Sequence, residues 1–254
     1  MKFLLSNGCS HTAGGEIEYQ WQPTCYDKAW PRKLADKIKH KSINISKSGN
    51  SNQSIYRTTL DWVYDNVIRE KRINPKDLTV IVMWSGFDRT EIYFPDTNIT
   101  DSINPLSNVG HYQTELIEEL KTFQKMMVTF QNNLVSDYKS LSLVYNLSLW
   151  LDSFGIKHYF INGLYHFPEI NYLNEAYINH SYYVSYKTLL ELYGQKKINN
   201  HYAFSDPDET FYRYMTYHSG FKHVEHSNLA HFGEDGHAHW AEKIYKRYFE
   251  KNII

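Results

Sequence analysis

The sequence predicts an α/β fold in three layers, with helices covering both faces of a mostly parallel sheet. Short apolar segments rich in β-branched residues alternate with amphipathic helical segments, which is typical of strands joined by helical crossovers. The segment Leu78–Trp84 carries no charge, as expected for a strand buried on both faces. The 254 residues are 42% hydrophobic, which is enough for the core of one large domain.

The elements follow from local patterns along the chain. The predicted strands are residues 2–6, 42–46, 78–84 and 156–161. A first crossover helix begins at Trp30-Pro31, because proline suits the first helical turn, and a second covers residues 53–72. Apolar residues at helical spacing from about 112 to 154 predict two further helices that end at Gly155. A last helix follows Gly236.

Two stretches interrupt this pattern. Residues 92–110 are rich in Asn, Asp, Pro and Ser without a period, which predicts an irregular inserted loop over the carboxyl edge of the sheet. Residues 164–215 are dense in Tyr, Asn and His, with a weak helical period near 183–193. We therefore expect a single domain, 1–254, with insertions near 92–112 and 164–215.

The turn Gly8-Cys9-Ser10-His11-Thr12 directly follows the first predicted strand. Open α/β sheets place their ligand crevice at the carboxyl ends of strands, and Gly8 allows a tight turn there. Ser10 is thus the candidate nucleophile. Because a serine hydroxyl is nearly inert at neutral pH, this role requires a histidine base. The C-terminal segment supplies His231, five residues before Gly236.

Three blocks carry a resemblance to a known family. Gly8-Cys9-Ser10, the segment 48–52 (Ser-Gly-Asn-Ser-Asn) and His231 ahead of a terminal helix resemble the SGNH (GDSL-like) hydrolases. The resemblance implies a flavodoxin-like three-layer sandwich with a sheet of about five strands, and ester hydrolysis by a serine. The first block, the Trp30-Pro31 helix start and the Ser- and Asn-rich second block also resemble SGNH-like proteins encoded by tailed phages.

The family stabilises the oxyanion of the reaction with backbone and side-chain donors. The resemblance assigns one such donor to the amide of Gly49, although a plain turn before a capped helix explains Gly49 equally well. The family's third block is Gly-x-Asn-Asp, whereas this chain has Ser85-Gly86-Phe87-Asp88-Arg89. Depending on the alignment of Gly86, the Asn position holds Asp88 or Phe87. Asn50 and Asn52 are the alternative side-chain donors.

The family also has an aspartate three residues before the histidine, and here that position is Asn228. An Asn in the corresponding role of serine proteases lowers kcat by about four orders of magnitude. Three alternatives stay open: a Ser10/His231 dyad, orientation of the ring by a backbone carbonyl or Glu225, and loss of catalysis.

Other polar residues near the strand ends are candidates for binding or for metal ligation. We expect His11, Ser85 and Arg89 to contact substrate. No metal is predicted, because His237 and His239 point about 200° apart on a helix, and helix capping accounts for the acidic run 205–209. No cofactor is predicted either, because the early glycines lack dinucleotide-binding spacing.

Composition excludes several classes of partner. The net charge of −1, with mixed signs along the chain, provides no footprint for nucleic acid. Two cysteines do not make a disulfide framework, and no segment reads as a signal peptide or membrane span, so we expect a cytoplasmic protein or one carried in a phage particle. An aromatic content of 16% suits a polar-ligand cleft, a homo-oligomer or virion assembly.

Two functions are consistent with these features. The first is a serine esterase that removes acetyl or other short acyl groups from a carbohydrate or a small ester. The second is a catalytically weak or inactive member of the fold that serves as a binding or structural protein. The intact Ser10, Gly49 and His231 favour the enzyme, and the altered residues at Asn228 and in the third block favour the alternative.

Overall fold

A computed structural model describes residues 1–20, 22–96, 99–103, 115–130, 133–164, 182–195, 210–225 and 231–250. Its six strands are β1 (Phe3–Asn7), β2 (Lys41–Asn44), β3 (Leu78–Trp84), β4 (Thr90–Phe94), β5 (Ile99–Ile103) and β6 (Lys157–Asn162). Four of them form a parallel sheet in the order β2-β1-β3-β6, and β4 pairs with β5 in an antiparallel hairpin.

The helices of these ranges are α1 (Ser10–Ala13), α2 (Trp30–Lys37), α3 (Asn52–Val63), α4 (Ile117–Phe130), α5 (Asn133–Ser153), α6 (Tyr183–Gln195), α7 (Phe211–Arg213) and α8 (Glu234–Tyr248). Helix α3 continues into a π-helical turn at Tyr64–Arg69, and α7 continues into another at Tyr214–His218.

The sheet has a hydrophobic core on each face. Neighbouring residues of a strand point to opposite faces, so Leu4 and Leu5 enter different cores. One core packs the sheet against α3, α5 and α6, and the other packs it against α2 and α8. All seven residues of β3 are buried, which explains why its sequence is apolar without interruption.

The strand order places Ser10 at the edge of the sheet where open α/β folds bind ligands. Strand β1 lies between β2 and β3 in the sheet. The chain therefore adds β2 on one side of β1 and then crosses over to add β3 on the other side. Ligands of open α/β sheets bind at such a topological switch point, outside the carboxyl ends of the strands. Ser10 follows β1 and Ser85 follows β3, so both lie at this edge.

The predicted fold class is confirmed: the sheet is parallel and helices cover both faces. All four predicted strands and both helices of the 112–154 region are present within a few residues of the predicted bounds. Two local predictions were wrong. Ser10 begins a short helix rather than lying in a loop. Part of the stretch 92–110 forms the β4–β5 hairpin, because Phe94 and Ile103 pack against Leu120 of α4.

Asn7, at the end of β1, fastens the strand to α3. Its side-chain amide donates to the Ile55 carbonyl at 3.0 Å and to the hydroxyls of Thr58 and Thr59, each at 2.9 Å. Its Oδ1 accepts from the Gly8 N–H at 2.8 Å. The turn that carries Ser10 therefore begins from a fully buried and hydrogen-bonded anchor.

We expect Asn7→Leu to lower the free energy of unfolding by about 2–4 kcal/mol, because it leaves the buried Gly8 N–H without its acceptor. Urea denaturation measures this change. Thr58→Val is the matched control: it removes one acceptor of the same side chain and should cost only about 1 kcal/mol. Equal costs for the two variants would contradict the anchoring role of Asn7.

Candidate active site

Ser10 occupies the first position of α1, directly beyond β1, and its side chain is half-buried. Gly8 permits the tight approach of this turn to β3: a Cβ there would lie 2.2 Å from Thr12 Oγ1 and 2.8 Å from the Met83 carbonyl oxygen. Any larger residue would displace the turn. The Ser10 N–H also lies at the start of the helix, where backbone donors have no partner within the helix.

His231 lies beside Ser10 although 221 positions separate them in the chain (231 minus 10). A Cβ placed on Gly15 would lie 3.1 Å from Ser10 Cβ and 3.5 Å from His231 Nε2, so both side chains border one small space. Within the described contacts, the Ser10 hydroxyl and the imidazole are not hydrogen-bonded. Such bonds are often long before substrate binds.

A carboxylate orients the His231 ring from the opposite side. Glu16 Oε2 lies 2.9 Å from His231 Nδ1, and both residues are only 3% exposed. Since an ionised carboxylate only accepts hydrogen bonds, Nδ1 carries the proton and Nε2 presents its lone pair toward the space beside Ser10. Glu16 has a φ of +56°, which is uncommon for a residue with a side chain and is shared here by Lys39 and Lys71.

The environment keeps the His231 ring neutral. Burial is the largest influence and lowers its pKa below the ordinary value, and the charges of Arg89 and His223 lower it further. The hydrogen bond and charge of Glu16 raise the pKa of His231, but they do not outweigh burial. At neutral pH the imidazole is therefore available as a base, with a carboxylate in place to stabilise the protonated form.

The other predicted histidines have separate roles. His11 is buried, its ring centre lies 4.8 Å from that of His231, and desolvation lowers its pKa. The His11 ring is therefore packed against His231 and almost fully removed from solvent. His237 Nδ1 accepts the Trp30 N–H at 3.3 Å, and His239 Nε2 contacts the Tyr214 hydroxyl at 3.1 Å. His237 and His239, which both belong to α8, thus contact two different neighbouring elements.

The second block lies against the turn that carries Ser10. Gly49 has a φ of +82° and open space within 4 Å of where a Cβ would be, so its backbone is accessible. Asn50 is buried and spans the loop: its amide donates to the Gly8 carbonyl at 3.1 Å, and its Oδ1 accepts from Ser54 at 3.2 Å. The loop is thereby held against the Ser10 turn.

Asn52 was a candidate oxyanion donor, and its hydrogen bonds leave no donor for this role. Its amide nitrogen donates to the Ser85 carbonyl at 3.4 Å and to Ser140 Oγ at 3.2 Å, which uses both hydrogens. Its oxygen accepts from the Ser85 N–H at 2.8 Å. Asn52 and the buried Ser85 therefore join the second block to the end of β3.

The third block, which follows β3, contains the side chains of Asp88 and Arg89. Arg89 Nη1 donates to Ser85 Oγ at 3.0 Å and to the Asn50 carbonyl at 3.3 Å. Gly86 is buried within the turn and Asp88 is half-buried. Arg89 and Asp88 also line a cavity of about 330 Å³ with residues of α3, α4 and α5. The other lining residues are Gln53, Phe87, Thr90, Phe123, Met127, Val135, Ser136, Lys139, Ser140 and Leu143.

Sequence reasoning missed Glu16 as the partner of His231. The position that the family resemblance assigns to this role, Asn228, lies outside the described residues, as does the acidic run 205–209. Glu225, the other carboxylate considered, is exposed. Gly14 and Gly15 allow the chain to turn back toward Ser10 just before Glu16, but no local pattern pairs Glu16 with His231.

A second serine–histidine pair lies in the core. Ser148 Oγ donates to His158 Nε2 at 2.8 Å, while His158 Nδ1 donates to the Ile156 carbonyl at 3.0 Å. Ser148 has no exposed surface, so substrate cannot reach it. This pair satisfies buried polar atoms between α5 and β6, and access to solvent distinguishes Ser10 from it.

Several solved structures are similar to this chain. A carbohydrate esterase, described as having an active site with divergent catalytic and non-catalytic binding functions, aligns over 99% of this chain and 69% of its own, with a TM-score of 0.51 and 10% identity. TesA aligns over 97% of both chains at a TM-score of 0.49 and 11% identity. The acetyl xylan esterase AlAXEase covers 97% of this chain and 100% of its own, at 0.47 and 11%. No curated protein sequence matches the chain.

The fold and the strand order define an α/β protein with a flavodoxin-like three-layer architecture, a fold similar to that of the carbohydrate esterase. The chain belongs to a family of unknown function (DUF6071), whose model matches residues 15–182. The matched range includes Glu16 and Arg89, whereas Ser10 and His231 lie outside it. None of the helices in the described ranges is both long and apolar enough to cross a membrane.

We expect Glu16→Gln to move the pKa of His231 further down, because Glu16 is the main influence that raises it. Titration of the histidine C–H resonances by NMR measures this shift and does not depend on any activity. Glu18→Gln is the matched control, since Glu18 lies on the same loop but pairs with Lys28 on the surface. An upward or absent shift in Glu16→Gln would contradict the hydrogen bond.

Proposed function

We propose that the protein is a serine ester hydrolase in which Ser10 is the nucleophile, His231 the general base and Glu16 the residue that positions His231. The observation that carries this proposal is the buried 2.9 Å hydrogen bond between Glu16 and His231 Nδ1. It aims Nε2 at the space that Ser10 borders, at the switch point of the sheet. A nucleophile, a base and an orienting carboxylate are the parts that acyl transfer requires.

The proposed reaction has two stages. Ser10 Oγ attacks the acyl carbon while His231 Nε2 takes its proton, and the carbonyl electron pair moves to the oxygen. Collapse of this tetrahedral species expels the alcohol, which receives the proton from His231. Water then repeats the sequence on the acyl-serine and releases the carboxylic acid. Glu16 stabilises the imidazolium that forms in both stages.

Two backbone donors suit the oxyanion. The Ser10 and Gly49 N–H groups form no hydrogen bond to other described residues. The first belongs to the turn that carries the nucleophile, and the second belongs to the loop that Asn50 joins to the Gly8 carbonyl. Preorganised donors of this kind are among the largest contributions to acyl-transfer catalysis, about 10²–10³ in kcat for each one.

The proposed substrate is an acetyl or other short acyl ester of a carbohydrate or small alcohol. The cavity beside Arg89 supports this class, because it combines the aromatic rings of Phe87 and Phe123 with hydroxyl, amide and charged groups. A volume of about 330 Å³ lies at the lower end for small-molecule sites. The similar solved structure of a carbohydrate esterase agrees with this choice.

A binding or structural role, including one in a virus particle, is the second candidate. The observation that favours it is that Ser10 and His231 are not hydrogen-bonded to each other. In that case the crevice would bind a ligand without turning it over. The two candidates differ in one measurable property, which is turnover that depends on Ser10.

We expect the protein to hydrolyse p-nitrophenyl acetate or members of an acetylated-sugar panel, and Ser10→Ala and His231→Ala each to lower kcat by at least about 10³-fold. Ser153→Ala and His40→Gln are matched controls. These residues lie where α5 ends and β2 begins, at the opposite edge of the sheet, and should leave kcat unchanged. Circular dichroism confirms that each variant is folded.

Turnover that persists in Ser10→Ala would contradict the proposed nucleophile. A wild-type protein without turnover, but with a sugar bound in the crevice by calorimetry, would instead support the binding role.

A further inference from the structure

Two hydrogen bonds hold the guanidinium of Arg89 in the segment between β3 and β4. Its Nη1 donates to Ser85 Oγ at 3.0 Å and to the Asn50 carbonyl at 3.3 Å, and both acceptors are neutral. Within the described ranges no carboxylate forms an ion pair with Arg89. Two hydrogen bonds from one nitrogen fix the plane of the guanidinium, whose Nε and Nη2 donors remain available.

These bonds connect Arg89 to the turn that carries Ser10. Asn50, whose carbonyl accepts from Arg89, also donates its side-chain amide to the Gly8 carbonyl at 3.1 Å. Gly8 lies two residues before Ser10, and Gly49 directly precedes Asn50. The guanidinium is thus tied to the same short loop that presents the Gly49 N–H.

The charge of Arg89 influences two histidines of the candidate site. It lowers the pKa of both His231 and His11, so its field acts where the proposed proton transfer takes place. The other groups that influence these two imidazole rings lie on several different elements. The titratable groups are Glu16, His11, His223 and His237, with Arg89 as the permanent cation.

We propose that Arg89 donates hydrogen bonds to the oxyanion and replaces the asparagine that the third block lacks. This inference rests on the proposed function. Phe87 has no donor, and an ionised Asp88 would repel a developing negative charge, whereas a guanidinium provides both donors and a positive charge. As the carbonyl electron pair moves to oxygen, the charge on that oxygen grows toward Arg89 Nη2 or Nε.

Arg89→Met should lower kcat by about 10²–10³-fold and change KM much less, because the interaction exists mainly in the transition state. The acid limb of the kcat/KM profile should move to higher pH, since the cation that lowers the pKa of His231 is gone. Arg89→Lys keeps the charge but not the planar fork, so its acid limb should stay near that of the wild type while kcat recovers only in part.

Lys47→Met is the matched control for loss of a cation. Lys47 lies in the same loop as Gly49, but its side chain pairs with Asp101 on the surface. It should leave kcat, KM and the pH profile unchanged. Guanidinium chloride at millimolar concentration should restore part of the activity of Arg89→Met and none of that of Ser10→Ala.

Two outcomes would overturn the role of Arg89. One is a kcat within about threefold of the wild type in folded Arg89→Met, which is smaller than the loss of a single oxyanion donor. The other is an unshifted His231 pKa, measured by NMR in Ser10→Ala with and without Arg89→Met. If Arg89→Met does not fold, Arg89→Gln, which also removes the charge, takes its place under the same criteria. A wild type without turnover contradicts the hydrolase instead, and the NMR titration still reports whether Arg89 faces His231.

Discussion

The buried hydrogen bond between Glu16 and His231 is the constraint on which the site depends. It joins residues 215 positions apart and fixes the loop after α1 against the segment before α8. Burying a carboxylate and an imidazole away from water is costly unless they pair. The pairing selects one tautomer of His231 and so decides which ring nitrogen faces Ser10. The left-handed backbone at Glu16 is the local cost of that arrangement.

The topology of the sheet determines the surroundings of the Glu16–His231 pair. Because β1 lies between β2 and β3, Ser10 lies at the switch point of the sheet, where it is half-exposed. The core pair of Ser148 and His158 has similar local chemistry but no access to solvent. Topology and exposure, more than the residue types, therefore distinguish a candidate active site from a buried polar contact.

Local patterns were sufficient for the main elements. The apolar β3 and the Trp30-Pro31 helix start follow from burial and from the geometry of proline, which act within a few residues. The β4–β5 hairpin escaped prediction because its turn-forming residues dominate the composition and its buried contacts to α4 are distant in sequence. Glu16 escaped for the same reason. Nothing within the Gly14-Gly15-Glu16 segment indicates that its carboxylate meets a histidine near the other end of the chain.

The most direct test of the Glu16–His231 interaction is the tautomer of His231, measured by ¹⁵N-detected NMR of the imidazole at neutral pH. The structure predicts a neutral ring protonated on Nδ1, with a downfield Nδ1–H resonance that disappears in Glu16→Ala and persists in Glu18→Ala. A ring protonated on Nε2 would leave no lone pair for the Ser10 proton and would contradict the proposed site.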